Sequence, residues 1–243
     1  MRIKIINPNT TWSMTWEIEK AAKRYARPET EIVAVSPDKG PVSIEGLYDE
    51  ALCQPGVLEE VKKGIREEFD GYVIACFGDP ALHAAREISN APVVGIAEAA
   101  MLMACMLGHR FSIITVLTRI KPLMEEVVTR YGLRDRCASI RATDLSVLEL
   151  EEDIGRTKEV LLKEGRKAIE EDGAEVLLLG CAGMAGLDED LERELGVPII
   201  DGTVAAVKFL ESLHDYGKKT SKILAYKQPE KKLIRGYPEI LQP

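Results

Sequence analysis

The sequence predicts an α/β protein built as two pseudo-symmetric lobes, each a roughly four-stranded parallel sheet flanked by helices, with a cleft between them. Three observations carry this. Short β-branched runs alternate with amphipathic stretches along the whole chain, the signal of parallel βαβ units. The strand-like runs fall into two sets of four. The second set repeats the first at a nearly constant spacing, the mark of a duplicated unit. Tyr72-Val73-Ile74-Ala75-Cys76-Phe77-Gly78 corresponds to Leu177-Leu178-Leu179-Gly180-Cys181-Ala182-Gly183, with the two cysteines 105 residues apart. Ala91-Pro92-Val93-Val94 and the pair Ala99-Ala100 correspond to Val197-Pro198-Ile199-Ile200 and Ala205-Ala206, each at an offset of 106. Ile5-Ile6-Asn7 falls over Ile113-Ile114-Thr115 at an offset of 108.

Taken in order, the apolar runs predict strands at 3–6, 32–35, 72–75 and 92–94, then 111–115, 139–141, 176–179 and 198–200. The stretches between them predict helices at 14–25, 57–68, 81–89 and 96–107, then 121–131, 154–172, 189–195 and 203–214. No low-complexity linker separates the sets. The expected division is therefore 1–96 plus 205–243 for one lobe and 97–204 for the other, with crossovers near 95–97 and 202–205 as the hinge. The segment 38–48, rich in Pro, Gly and Ser, is expected to cover the cleft, with Ile44 and Leu47 as candidate pocket residues.

The chain of 243 residues carries 40 acidic against 32 basic residues, a net charge of −8 that argues against nucleic acid as a main partner. A lysine-rich segment beyond Lys218 departs from this and is expected to pack on the acidic body or on a neighbouring subunit. The apolar run at the start is too short for a signal peptide or a membrane span, so the expectation is a cytoplasmic protein with no membrane partner. The five cysteines form no Cys-x-x-Cys pair, and the three histidines have no ligand spacing, so neither a metal nor a disulfide framework is expected.

Ligands of open parallel sheets bind beyond the carboxyl ends of the strands. Asn7, Asn9, Cys76, Thr115, Thr118 and Cys181 all belong to such ends in this reading. Cys53, Cys105 and Cys137 read as core. Cys76 and Cys181 stand apart because each closes a strand, precedes a predicted helix and has a counterpart. A helix amino terminus contributes ~0.3–1 kcal/mol toward an anion, up to about 2 when partly buried. The expectation is thus a modestly lowered thiol pKa and a site able to hold one thiolate and one thiol together. Racemisation needs that state: the thiolate takes the α-proton from one face while the thiol protonates the other. The backbone N–H groups of Phe77, Gly78 and Asp79 on one side, and of Ala182 and Gly183 on the other, are candidate donors to the resulting enolate. Asn7, Asn9, Thr115 and Thr118 are candidate side-chain donors, although Asn7-Pro8-Asn9-Thr10-Thr11 also reads as a turn and helix cap. Asp79-Pro80 reads as the cap and first residue of the following helix.

At these residues the chain resembles the aspartate/glutamate/hydantoin racemase superfamily. The match runs from Ile6-Asn7-Pro8-Asn9-Thr10 through Cys76-Phe77-Gly78-Asp79-Pro80, Gly95-Ile96-Ala97-Glu98-Ala99 and Gly180-Cys181-Ala182-Gly183-Met184 to Pro198-Ile199-Ile200-Asp201-Gly202. Within it the sequence looks most like the hydantoin and allantoin racemase branch. The resemblance implies two Rossmann-like lobes, catalysis without a cofactor, Cys76 and Cys181 as the two bases, a small-molecule substrate and a homo-oligomer. Amino-acid racemases of this superfamily follow the first cysteine with Asn-Thr and the second with Thr, groups that bind an α-carboxylate. Here Phe77-Gly78 and Ala182-Gly183 stand instead, which suggests a neutral hydantoin-like ring. The runners-up are an aspartate/glutamate-type amino-acid racemase, an isomerase like the maleate isomerases, and a non-catalytic small-molecule binding protein.

Overall fold

The computed structural model describes residues 1–242. Within them eight strands form two four-stranded parallel sheets of identical topology. The first sheet contains β1 (Arg2–Ile6), β2 (Glu31–Val35), β3 (Gly71–Ile74) and β4 (Val93–Gly95), in the order β2-β1-β3-β4. The second contains β5 (Phe111–Thr115), β6 (Cys137–Ala142), β7 (Val176–Leu179) and β8 (Ile199–Ile200), in the order β6-β5-β7-β8. The central strands β3 and β7 are buried on both faces, which is why Tyr72-Val73-Ile74 and Val176-Leu177-Leu178-Leu179 read as continuous apolar runs rather than alternating ones.

The connections are helical: α1 (Trp12–Tyr25), α2 (Leu47–Arg66), α3 (Leu82–Ile88) and α4 (Ile96–Leu107), followed by α5 (Lys121–Arg130), α6 (Glu149–Glu152), α7 (Ile154–Glu170), α8 (Asp188–Leu195) and α9 (Gly202–Asp215). Helix α4 leaves the first sheet and packs on β7, β5 and β8 of the second, whereas α9 leaves the second sheet and packs on β3 and β4 of the first. The two helices also pack on each other. One apolar cluster, including Ile5, Val73, Ile113 and Leu178, runs through both sheets, and a smaller one under α2 and α3 includes Ile6, Val61, Ile74 and Leu82.

The structure differs from the sequence reading at three places. Helix α2 begins at Leu47, ten residues before the predicted start, and carries Pro55 in its interior. Proline is expected at a helix start, because inside a helix it removes a hydrogen bond. Here the burial of Cys53, Gly56, Val57, Glu60 and Val61 along one face holds the helix together across it. The second difference follows Cys76. Asp79 and Ala81 have φ of 50° and 59°, so Pro80 lies in an irregular turn and α3 starts only at Leu82. Asp79 does not cap that helix. Its carboxylate accepts the Ala97 and Glu98 N–H groups at 3.1 and 2.9 Å and so caps α4. The third is the short helix α6, which is too brief to leave a periodic signal.

The lysine-rich C-terminal segment folds back over the first sheet's helices. Lys222 donates to the carbonyls of Arg86 and Glu87, Thr220 N–H donates to the Asn90 carbonyl, and Tyr226 stacks on His83. Among the described residues no helix is long and apolar enough to cross a membrane.

Candidate active site

In each sheet the strand order reverses between its two central strands, β1 and β3 in one, β5 and β7 in the other. A crevice opens beyond the carboxyl ends at such a reversal. Asn7 directly follows β1 and Cys76 stands two residues beyond β3, while Thr115 ends β5 and Cys181 stands two residues beyond β7. The register fixes these pairs, with Ile6 opposite Ile74 and Ile114 opposite Leu179. At the second crevice a Cβ on Gly180 would lie 2.8 Å from the Ile114 carbonyl oxygen and 3.1 Å from Thr115 Cα. Only glycine lets β7 pass that close and deliver Cys181 beside Thr115.

Both crevices open into a single cavity lined by residues of both sheets. Cys76 and Cys181 line it together, along with Asn7, Asn9, Phe77, Gly78, Thr115 and Ala182. These are eight of the eleven residues the sequence singles out. The remaining three lie elsewhere. Thr118 is exposed, with its N–H donated to Asp144 at 2.9 Å. Asp79 is buried behind the wall, held by Tyr131 Oη at 2.6 Å as well as by α4. Gly183 lies on the far side of Cys181, where its N–H faces the sulfur.

The loops after the two cysteines have the same construction. The Asp79 N–H donates to the Cys76 carbonyl at 3.0 Å, and the Met184 N–H donates to the Cys181 carbonyl at 3.1 Å. This removes Asp79 from the candidate backbone donors. Phe77 and Gly78, like Ala182 and Gly183, find no carbonyl acceptor for their N–H groups among the described residues. The Gly78 N–H approaches Cys76 and the Gly183 N–H approaches Cys181, each favouring the thiolate.

The net effect on the thiols is nevertheless opposite to the sequence expectation. Neither cysteine sits at the amino terminus of a long helix: an irregular turn follows Cys76, and a single 3-10 turn (Ala182–Met184) follows Cys181. Each cysteine keeps part of its surface open to the cavity, but protein atoms surround the sulfur. Burial pushes the Cys76 thiol well above its ordinary value, with the neighbouring Cys53 thiol adding to the rise. Burial likewise pushes Cys181 up to about 11, with Glu45 and Glu151 adding less. Burial thus favours the thiol over the thiolate at both positions.

Asn7 and Asn9 both line the cavity and both organise the turn into α1. Asn7 Nδ2 donates to Asn9 Oδ1 at 2.9 Å and to Thr15 Oγ1 at 3.0 Å, and Asn9 Oδ1 accepts the Thr11 N–H at 2.9 Å. The Asn9 amide is matched only by the Met14 thioether at 3.3 Å, a weak acceptor, which leaves it able to donate into the cavity. Thr115 Oγ1 is buried with no partner among the described residues. Apart from Glu50, the rest of the wall is apolar and includes Ile44, Val116, Ile120, Leu123, Met124 and Val147. Ile44 thus takes the expected pocket role, while Leu47 points outward at 65% exposure. The segment before α2 does reach across the cavity: Glu45 Oε1 accepts the Val147 N–H at 2.9 Å. Glu50, from the first turn of α2, also lines the cavity, and sequence reasoning missed it.

No cluster of three or more His, Cys, Asp or Glu side chains with metal-holding geometry occurs among the described residues.

Comparison with known proteins agrees with this geometry. The family model for Asp/Glu/Hydantoin racemase matches residues 3–210. The chain is 58% identical over 236 residues to a hydantoin racemase of Pseudomonas sp. (strain NS671), covering 97% of this chain and 95% of that protein. It is 47% identical to the hydantoin racemase of Rhizobium meliloti, covering 98% of each. Among solved structures, allantoin racemase from Klebsiella pneumoniae superposes with a TM-score of 0.97 at 48% identity, over 100% of this chain and 99% of that one. The chain belongs to the Asp/Glu/hydantoin racemase family, and it is an isomerase of the racemase type.

Proposed function

We propose that the protein racemises 5-substituted hydantoins, with allantoin within the same substrate class, by proton transfer between Cys76 and Cys181 without a cofactor. The observation that carries this reading is that the two cysteines, delivered by equivalent strands of two equivalent sheets, line one cavity. The relatives named hydantoin racemase and the structural likeness to allantoin racemase support the ring class.

In the working form one sulfur is a thiolate and the other a thiol. The thiolate takes the proton from C5 of the ring, and the C–H electron pair moves onto the adjacent carbonyl oxygen as an enolate. The opposing thiol then gives its proton to C5 from the other face, the enolate collapses, and that sulfur is left as the thiolate. The two sulfurs exchange roles each time, so both enantiomers are processed. Each thiolate is high in pKa and so scarce, but it is a correspondingly strong base. The enolate oxygen is met by donors without a partner among the described residues: the Phe77 and Ala182 N–H groups and the hydroxyl of Thr115.

The charge of the wall favours a neutral ring over a free amino acid. No Lys or Arg lines the cavity among the described residues, and its one charged residue is a glutamate. An aspartate or glutamate substrate would bring two carboxylates into this apolar space without a cation to meet them.

A D2O exchange panel tests the assignment, with both enantiomers of a 5-alkylhydantoin, (S)-allantoin, aspartate, glutamate and maleate. Loss of the C5 proton signal together with inversion on a hydantoin or allantoin is the expected result. Exchange confined to a free amino acid, or turnover of maleate alone, would move the assignment to another branch of the family.

A further inference from the structure

The glutamate in the cavity has no hydrogen-bond partner for its carboxylate among the described residues. Glu50 stands in the first turn of α2, its N–H donating to the Gly46 carbonyl at 3.0 Å and its carbonyl accepting the Cys53 thiol at 3.2 Å. Its side chain turns inward. Oε2 is buried and has no hydrogen-bond partner among the described residues, and a methyl group built on Gly78 would lie 3.4 Å from it. The carboxyl is thus beside the loop that carries Cys76. Helix capping does not account for it: the amino end of α2 has no side-chain cap, and the nearby Glu45 N–H is taken by the preceding residue, Asp49, at 3.0 Å. Arg130 acts on Glu50 only through space, since its guanidinium is turned to the Gly78 carbonyl at 3.4 Å. Burial raises the Glu50 pKa, and Glu126 raises it further.

A buried carboxyl oxygen without a donor is costly to keep. Such a group is explained when a ligand supplies the donor. A hydantoin ring carries two N–H groups, N1–H beside C5 and N3–H between the carbonyls, and Glu50 is the one carboxylate lining the cavity among the described residues. We propose that Glu50 is a substrate-binding residue that accepts a hydrogen bond from a ring N–H and so sets the ring against Cys76. The inference rests on the hydantoin reading above. It makes the ring N–H, and not only the 5-substituent, a determinant of specificity.

The test pairs variants of the enzyme with variants of the ring. Wild type, Glu50→Ala and Glu50→Gln would be assayed for racemisation of 5-isobutylhydantoin and of its N1-methyl and N3-methyl derivatives, with thermal melts to confirm folding. Glu50→Ala is expected to lower kcat/KM on the parent ring by about 10- to 100-fold, and Glu50→Gln, whose amide oxygen still accepts, by less. Methylation of the contacted nitrogen should cost wild type a similar factor and leave Glu50→Ala no worse than on the parent ring, while the other methyl derivative shows independent effects. An equal loss for Glu50→Ala on all three rings, or no loss at all, would overturn the role of Glu50 and leave the racemase reading standing. Failure of wild type to act on the parent ring would overturn both.

Discussion

At the scale of the residue, the site consists of two thiols placed where their charged forms are disfavoured. Cys181 is raised to about 11 and Cys76 is raised as well, both chiefly by burial. Racemisation needs one thiolate, the form that burial disfavours at both positions. The sign follows: log kcat/KM should climb with a slope of about +1 per pH unit from pH 6 to about pH 9, because each unit multiplies the thiolate population tenfold. A pH–rate profile on a hydantoin checks this, and a plateau already reached below about pH 8 would mean that some group on the free enzyme lowers a thiol pKa. That Cys76 and Cys181 would reach one cavity was legible in the sequence because an internal repeat singles them out from Cys53, Cys105 and Cys137. Their titration was not, since burial comes from long-range packing and outweighs the ~1 pKa unit that a helix end supplies. Glu50 was hidden for another reason. Pro55 marks a helix start in sequence, so the first turn of α2 read as loop and its carboxyl had no predicted direction.

At the scale of the element, two close approaches hold the strand ends in place. Gly180→Ala would set a methyl carbon 2.8 Å from both the Ile114 carbonyl oxygen and Ile113 Cγ2, and the backbone atom has no room to yield. We expect a loss of ~1–3 kcal/mol in denaturant unfolding, with racemisation falling further than stability because Cys181 is displaced. An unchanged unfolding midpoint would show that β7 tolerates a shift. The second device is Asp79. Its carboxylate serves the Ala97 N–H, the Glu98 N–H and Tyr131 Oη, joining the Cys76 loop to α4 and to the residue after α5. Asp79→Ala leaves those donors unmatched and should cost about 2–4 kcal/mol, read from the same unfolding experiment. A midpoint within experimental error of wild type would exclude this cap as a significant contributor. Strand and helix order was readable from period and composition in every case except the brief α6. The cap was misassigned because Asp-Pro next to a helix is a strong local signal. Positive φ at Asp79 and Ala81, set by packing under α4, overrides it.

At the scale of the whole molecule, the β2-β1-β3-β4 and β6-β5-β7-β8 sheets are one design used twice, and each presents its reversal point to the other. The near-constant sequence offset made that duplication visible before any coordinates. The facing arrangement needed the crossing of α4 onto the second sheet and α9 onto the first. That exchange supports a division of the chain into 1–96 plus 205–243 and 97–204, which we propose as its two lobes; the return of the C-terminal segment onto α3 fits the same assignment. Duplication also bears on chemistry, since a near-symmetric cavity can offer one base to each face of a planar enolate. The most direct test takes Cys76→Ser and Cys181→Ser separately, each incubated in D2O with each pure enantiomer of a 5-alkylhydantoin, following C5-proton loss by NMR and configuration by chiral chromatography. Both variants should lose racemisation by ~10²–10⁴-fold. Each should retain exchange with one enantiomer only, and a different one in each variant. Racemisation at the wild-type rate by either variant, or exchange of the same enantiomer by both, would contradict proton transfer between the two thiols.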